Sequence, residues 1–332
     1  MKIIGKFPST RLRRVRNSNW VRRLVSENSL SCDDLILPIF LIEGKNKIEK
    51  IHNMPGVYRY TIDNLSKILD ESSKYKIPMV ALFPCTPPKK KDKNASEALN
   101  ENNLICKAIR FIKNKYKSFG IMTDVALDPY TNHGHDGVIN KGIIDNDETI
   151  KILQKQSILQ AEVGADVIAP SDMMDGRIGL IRKTLEKRNL KDTKILSYAV
   201  KYASNFYGPF RTAVGSKKFL RGNKKTYQMD FRNYDEAIRE VGLDIKEGAD
   251  FVMVKPGMPY LDIINLIKQK FSVPVFSYQV SGEYSMIKNG IKNKILHEEA
   301  IYESLISLKR AGSRAIVSYF ALEFLKKRKK FN

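Results

Sequence analysis

Eight short runs rich in Val, Ile and aromatic residues recur along this chain, most of them separated by stretches of helical periodicity. They occupy residues 35–43, 79–84, 121–129, 166–170, 195–201, 251–255, 275–280 and 315–320. Most are too short for helices and have strand composition. Between them, residues 148–163, 234–247 and 298–310 read as amphipathic helices. In the second, Ala237, Ile238, Val241 and Ile245 share one face, with charges between. Strand–helix alternation calls for a parallel sheet, and eight units call for closure into a (β/α)8, or TIM, barrel. A doubly wound sheet is the competing fold, but it would usually carry a Gly-rich phosphate loop after its first strand. Here the first run ends Ile42-Glu43-Gly44-Lys45, without such a loop. The 332 residues divide into an arm, 1–34, and a barrel, 35–332. The arm is basic and partly apolar (Trp20, Val21, Leu24, Val25). Such a segment is poorly buried on its own barrel and suits wrapping a neighbouring subunit, so an oligomer is expected.

Composition removes several classes of function. No apolar run approaches the roughly 18 residues of a membrane span. The first ten residues lack the apolar core of a secretory signal. Residues 1–23 are Arg-rich and acid-free, a pattern shared with transit peptides, yet a cytoplasmic protein is expected because this segment has a specific match given below. Cys32, Cys85 and Cys106 are scattered and form no CxxC pair, so neither a disulfide framework nor a zinc knuckle is indicated. The formal charge of +22 includes basic clusters at 11–16, 89–93 and 326–330. Lysines are spread along the whole chain and no nucleic-acid motif accompanies them, so solvated faces explain the charge and no nucleic-acid or membrane partner is expected.

Barrels of this kind place their chemistry at the carboxyl ends of the strands. Polar residues gather there run after run: Asp124, Asp128, His133, His135 and Asp136 after the third, Ser171, Asp172 and Asp175 after the fourth, Tyr278, Gln279, Ser281 and Glu283 on and after the seventh, and Ser318 and Tyr319 on the eighth. The fifth and sixth runs close on lysines, Lys201 and Lys255. Adjacent strands lie about 5 Å apart. Paired there, ammonium groups repel each other and desolvation disfavours charge, which leaves a nucleophilic amine near neutral pH. That is the equipment for Schiff-base chemistry on a ketone. The plainer alternative is a pair of lysines snorkelling at strand ends.

The residues around both lysines are similar to one family. Met253-Val-Lys255-Pro-Gly-Met-Pro-Tyr260-Leu-Asp262 and Tyr198-Ala-Val-Lys201-Tyr-Ala-Ser-Asn-Phe-Tyr-Gly-Pro-Phe-Arg211 resemble the lysine motifs of the porphobilinogen synthases, or δ-aminolevulinic acid dehydratases. The resemblance extends to Arg11-Leu-Arg-Arg14 in the arm, to the stretches 34–44, 54–58 and 124–137, and to Gln279-Val-Ser-Gly-Glu-Tyr284. It implies a lyase that condenses two molecules of 5-aminolevulinate into porphobilinogen with loss of two waters, in tetrapyrrole (heme) biosynthesis. It implies that Lys255 carries the substrate of the A side and Lys201 that of the P side. Arg211 and Lys224 match the A-side carboxylate binders, and Ser281 and Tyr319 those of the P side. Phe210, Gln228 and Tyr278 are expected to line the site, and residues 208–225 to form a lid. Lys224 stands where the family usually has Arg, which keeps the charge and loses the bidentate fork. Asp124 is expected to orient a proton-transfer group or a substrate amine. An octamer is the oligomer the resemblance implies.

One branch of the family carries three cysteines at the positions of Ala126, Asp128 and Asp136, forming a catalytic zinc site. Their absence here makes catalytic zinc unexpected, since thiolates select zinc and carboxylates favour hard ions. Asp128 and Asp136 could hold Mg²⁺ or a monovalent cation, or the site could hold no metal. Asp124, Ala126 and Asp128 would share one strand face by parity. His133 and His135 are candidate ligands or hydrogen-bonded loop residues. Glu240 matches a glutamate that binds an allosteric Mg²⁺ in magnesium-responsive members. The rival readings are a single-lysine aldolase on the same barrel and, in another class, a polyanion-binding protein or inactive scaffold.

Overall fold

The strand runs become barrel staves because they are apolar on both faces. All eight residues of the first, Leu35–Ile42, are buried, as expected for a parallel sheet covered outside by helices and filled inside by its own side chains. The computed structural model describes residues 5–215, 219–220 and 222–331, with side chains up to residue 328. In chain order the barrel strands are β1 (Leu35–Ile42), β2 (Met79–Cys85), β3 (Gly120–Val125), β4 (Val167–Pro170), β5 (Lys194–Lys201), β6 (Phe251–Lys255), β7 (Val275–Gln279) and β8 (Ala315–Ser318). Each pairs in parallel with the next, and β8 closes the ring on β1 at Leu35↔Ile316. This is the (β/α)8 barrel. A short antiparallel pair, Ile48–Lys50 with Tyr58–Tyr60, extends the carboxyl end of β1.

Helices begin and end where local chemistry dictates. The Asp145 carboxylate accepts the Glu148 N–H at 3.0 Å and caps the helix Asn146–Val163. Gly164 closes that helix at φ 116°, a conformation that side-chain-bearing residues resist. The helix Asp235–Glu247 buries Ala237 and Val241 on the face the sequence predicts.

Two expectations change. β3 ends at Val125 rather than reaching residue 129, because the chain turns as the Tyr130 N–H bonds the Leu127 carbonyl at 2.8 Å. Ala126 and Asp128 therefore lie beyond the strand, and strand parity does not place them with Asp124. β8 likewise ends at Ser318, so Tyr319 sits just past it. In the arm, Leu12–Val15 and Asn19–Leu24 are helical and bury no residue. Phe7, Leu12, Trp20 and Leu24 are all exposed. Residues 1–4, the lid positions 216–218 and 221, and the side chains of Lys329 and Lys330 lie outside the described residues. Among the described residues, no helix is long and apolar enough to cross a membrane.

Candidate active site

A register shift builds the centre of the site. Along the β5–β6 pair, Ser197 opposes Val252 while Val200 opposes Val254: three residues of β5 span two of β6. The extra residue is a bulge, a device that re-aims side chains. It brings Lys201 directly opposite Lys255. It also lets Tyr198 and Lys201, an odd number of residues apart, both point into the barrel, which a regular strand forbids.

The two lysines meet different surroundings. Lys255 Nζ lies 4.5 Å from the ring centre of Tyr278, 4.9 Å from Phe210, 5.0 Å from Tyr198 and 5.5 Å from Tyr207. Ring faces favour a cation, but burial and the neighbouring Lys201 ammonium prevail and hold the Lys255 amine down at about 7. Its backbone is pinned: the Lys255 carbonyl accepts the Tyr202 N–H at 3.0 Å and the Tyr207 hydroxyl at 3.1 Å. Lys201 Nζ donates to the Ser171 carbonyl and lies 3.9 Å from Asp136 Oδ1. Beneath Ser171, the buried guanidinium of Arg177 sits 3.6 Å from Asp172 and 3.4 Å from Asp244, fixing the loop after β4.

Three carboxyl groups complete the chamber. Burial pushes Asp124 up to about 6, more than Lys255 and Lys201 pull it down. For Asp136 burial also raises the pKa, but the ammonium groups of Lys201 and Lys224 outweigh it and hold the carboxyl at about 2. Burial raises Asp128, which Lys224 only partly offsets. Lys224 Nζ stands between the last two, 3.3 Å from Asp128 and 3.1 Å from Asp136. Two carboxylates bridged by an internal ammonium do not fit a metal ion between them, and among the described residues no group of three or more His, Cys, Asp or Glu is placed to hold one. His133 and His135 are buried loop residues: the His135 N–H donates to His133 Nδ1 at 3.3 Å, and His135 Nδ1 lies 3.0 Å from the Tyr227 hydroxyl.

The remaining expected residues converge as well. Arg211, Phe210, Gln228 and Lys224 line the same chamber as Asp124, Asp128, Asp136, Lys201 and Lys255. The hydroxyls of Tyr278 and Tyr319 lie 3.0 Å apart. Ser281 Oγ accepts the Phe210 N–H at 2.9 Å, so the helix Gly208–Ala213 is tied down over the chamber. Glu240 is not in this chamber. It lines an adjoining groove of about 740 Å³ with Asp175, Asp230 and Glu236, which meets the chamber at Gln228. Sequence reasoning gave no role to Ser171, Tyr198 or Tyr207. Tyr198 belongs to a quoted motif, but only the bulge turns it inward.

A (β/α)8 barrel holding two lysines side by side at its carboxyl end, one of them with its pKa brought down to about 7, has the equipment of a Schiff-base enzyme acting on carbonyl compounds. Residues 9–327 match the family model described as delta-aminolevulinic acid dehydratase. A dehydratase of that name from Bradyrhizobium diazoefficiens is 55% identical over 94% of this chain and 88% of its own. One from Methanothermus sociabilis is 50% identical over 96% of this chain and 99% of its own. The Toxoplasma gondii enzyme, solved in complex with the reaction product porphobilinogen, superposes with a TM-score of 0.93 at 43% identity, covering 96% of this chain and 91% of that one. The chain belongs to the delta-aminolevulinic acid dehydratase family, the lyases also called porphobilinogen synthases.

Proposed function

We infer that this chain makes porphobilinogen by holding one 5-aminolevulinate as an imine on Lys255 and a second on Lys201. The observation that carries this reading is the direct pairing of the two lysines across β5 and β6, with the Lys255 amine near 7. Each imine forms with loss of one water, which accounts for both waters of the reaction. An iminium acts as an electron sink, so a carbon beside one imine can lose a proton and attack the imine carbon of the other. The pyrrole nitrogen then comes from a substrate amine that displaces one lysine, and loss of the other lysine restores both amines. Asp124, buried, at about 6 and in the field of both ammonium groups, is the group suited to take the carbon-bound proton. Holding both substrates on one scaffold replaces a bimolecular encounter by a local one.

Arg211, Lys224 and Gln228 would take the A-side carboxylate, and Ser281, Tyr319 and Tyr278 the P-side one. The cavity between the lysines is about 30 Å³, room for roughly one or two waters. Two keto acids therefore enter only when the roof of Phe210, Arg211 and Lys224 lifts, exchanging the Phe210–Ser281 bond and the Lys224 ion pairs for contacts to substrate carboxylates.

Glu240 would hold Mg²⁺ as an activator, outside the chamber that holds the lysines. The acidic groove supports this: one or two carboxylates suffice for an ion that keeps several of its waters. The exposed apolar arm supports a homo-oligomer, an octamer by family resemblance. The free thiols of Cys32, Cys85 and Cys106 agree with a cytoplasmic enzyme.

The decisive experiment is borohydride reduction in the presence of 5-aminolevulinate, followed by peptide mapping. Adducts on both Lys201 and Lys255 are expected. An adduct on one lysine only, whatever the substrate concentration, would favour aldolase-like single-imine chemistry.

A further inference from the structure

The segment 279–284 contains a second buried group to which the reaction above gives no part. Glu283 lies in the first turn of the helix Ser281–Lys292 and is 3% exposed. Its Oε2 accepts the Val280 N–H at 2.5 Å, which caps its own helix. Its Oε1 accepts the Met258 N–H at 2.6 Å, and the Gly257 N–H lies 3.4 Å from Oε2. Among the described residues it forms no ion pair. Burial pushes the Glu283 carboxyl up to about 7, while the N–H groups of Val280, Met258 and Gly257 favour its charged form and pull against that.

The three N–H groups belong to two functional segments. Gly257 and Met258 follow directly behind Lys255, and Val280 directly precedes Ser281. Both segments are packed without slack. A Cβ at Gly257 would come within 2.9 Å of Leu308 and 3.2 Å of the Tyr278 carbonyl oxygen. A Cβ at Gly282 would come within 2.4 Å of the Phe206 carbonyl oxygen. Lys255 is thus held from the β5 side by Tyr202 and Tyr207 and from the β7 side through Glu283.

We propose that Glu283 is a positioning residue: its carboxylate clamps the chain behind Lys255 to the chain in front of Ser281, and so sets how the two bound substrates face each other. This rests on the two-imine reading, in which Lys255 holds one substrate and Ser281 the carboxylate of the other. Glu283 touches neither substrate. It matters when two correctly formed imines must meet, where a 1 Å misplacement is worth about a hundredfold in rate.

The test is Glu283→Gln, which keeps size and one acceptor oxygen but turns an N–H₂ toward a backbone N–H. With folding checked by circular dichroism, imine trapping on each lysine separately should stay within about threefold of wild type, while kcat for porphobilinogen formation falls about a hundredfold. A folded variant with kcat within about threefold of wild type, or one that loses both adducts as completely as it loses turnover, overturns the proposal. If the variant does not fold, hydrogen exchange in the wild-type protein decides. A Met258 amide as protected as those of β6 supports the clamp, and one exchanging like an open loop removes it. Absence of any adduct in the wild type would defeat the two-imine reading instead, and Met258 exchange would still judge the clamp.

Discussion

Lys255 and Lys201 are the same residue type, in register, on neighbouring strands, yet their surroundings differ in kind. Lys255 is boxed by four aromatic rings and, among the described residues, has no carboxylate within ion-pairing distance. Lys201 rests on a backbone carbonyl and within 3.9 Å of Asp136. An aromatic wall excludes water and offers only weak attraction to charge, so burial wins and brings the amine down to about 7, where a large fraction is uncharged at neutral pH. The contrast teaches that one backbone pairing can set two lysines in register and still give them unlike surroundings, aromatic for Lys255 and polar for Lys201.

The largest expected effect breaks the pair outright. Lys255→Met should lower porphobilinogen formation on the order of a thousandfold or more, and Lys201→Met should do the same, each with loss of the borohydride adduct at the altered lysine only. Loss of both adducts in either variant would mean that the lysines do not act as separate carriers. Next in size is Asp124→Asn. Removing the carboxyl that both lysines face should lower kcat by roughly 10² to 10⁴, the usual range for general acid–base groups, with a smaller change in KM. An unchanged kcat would remove Asp124 from proton transfer.

Acidity sharpens the comparison. The Lys255 pKa is lowered, so below about 7 its amine is protonated and cannot attack, and above about 7 it is free. The rate of adduct formation at Lys255 should therefore rise with pH through about 7 and level off. Phe210→Ala opens the box to water, weakens the desolvation that lowers this pKa, and should move the rise to higher pH, with about tenfold slower trapping at pH 7. A rise that stays in place would show that the ring does not keep the amine neutral. The smallest effect lies in the other cavity: Glu240→Ala should weaken activation in a magnesium titration while turnover persists. An unaltered magnesium response would detach Glu240 from metal binding.

Much of the site was legible before the fold. All eight strands appear where apolar runs were read, because a stave buried on both faces must be apolar throughout. The lysines, Arg211, Phe210, Gln228 and Lys224 were singled out by motif and do line one chamber. Strand ends were read less well. The apolar run carries on through Ala126 and Leu127, yet the chain turns there, and Asp128 reaches the chamber from a loop.

Composition and periodicity alone thus determined a closed barrel with two lysines at its carboxyl rim, since burial patterns are local and repeat along the chain. Only the tertiary structure decided which partners each lysine has. The bulge in β5 that aligns Lys201 with Lys255, the aromatic box, the Lys224 bridge and the reach of Glu283 to Met258 all join residues distant in sequence or depend on pairing register. Register and long-range packing are set by the whole barrel closing at once, and no stretch of sequence carries that information by itself.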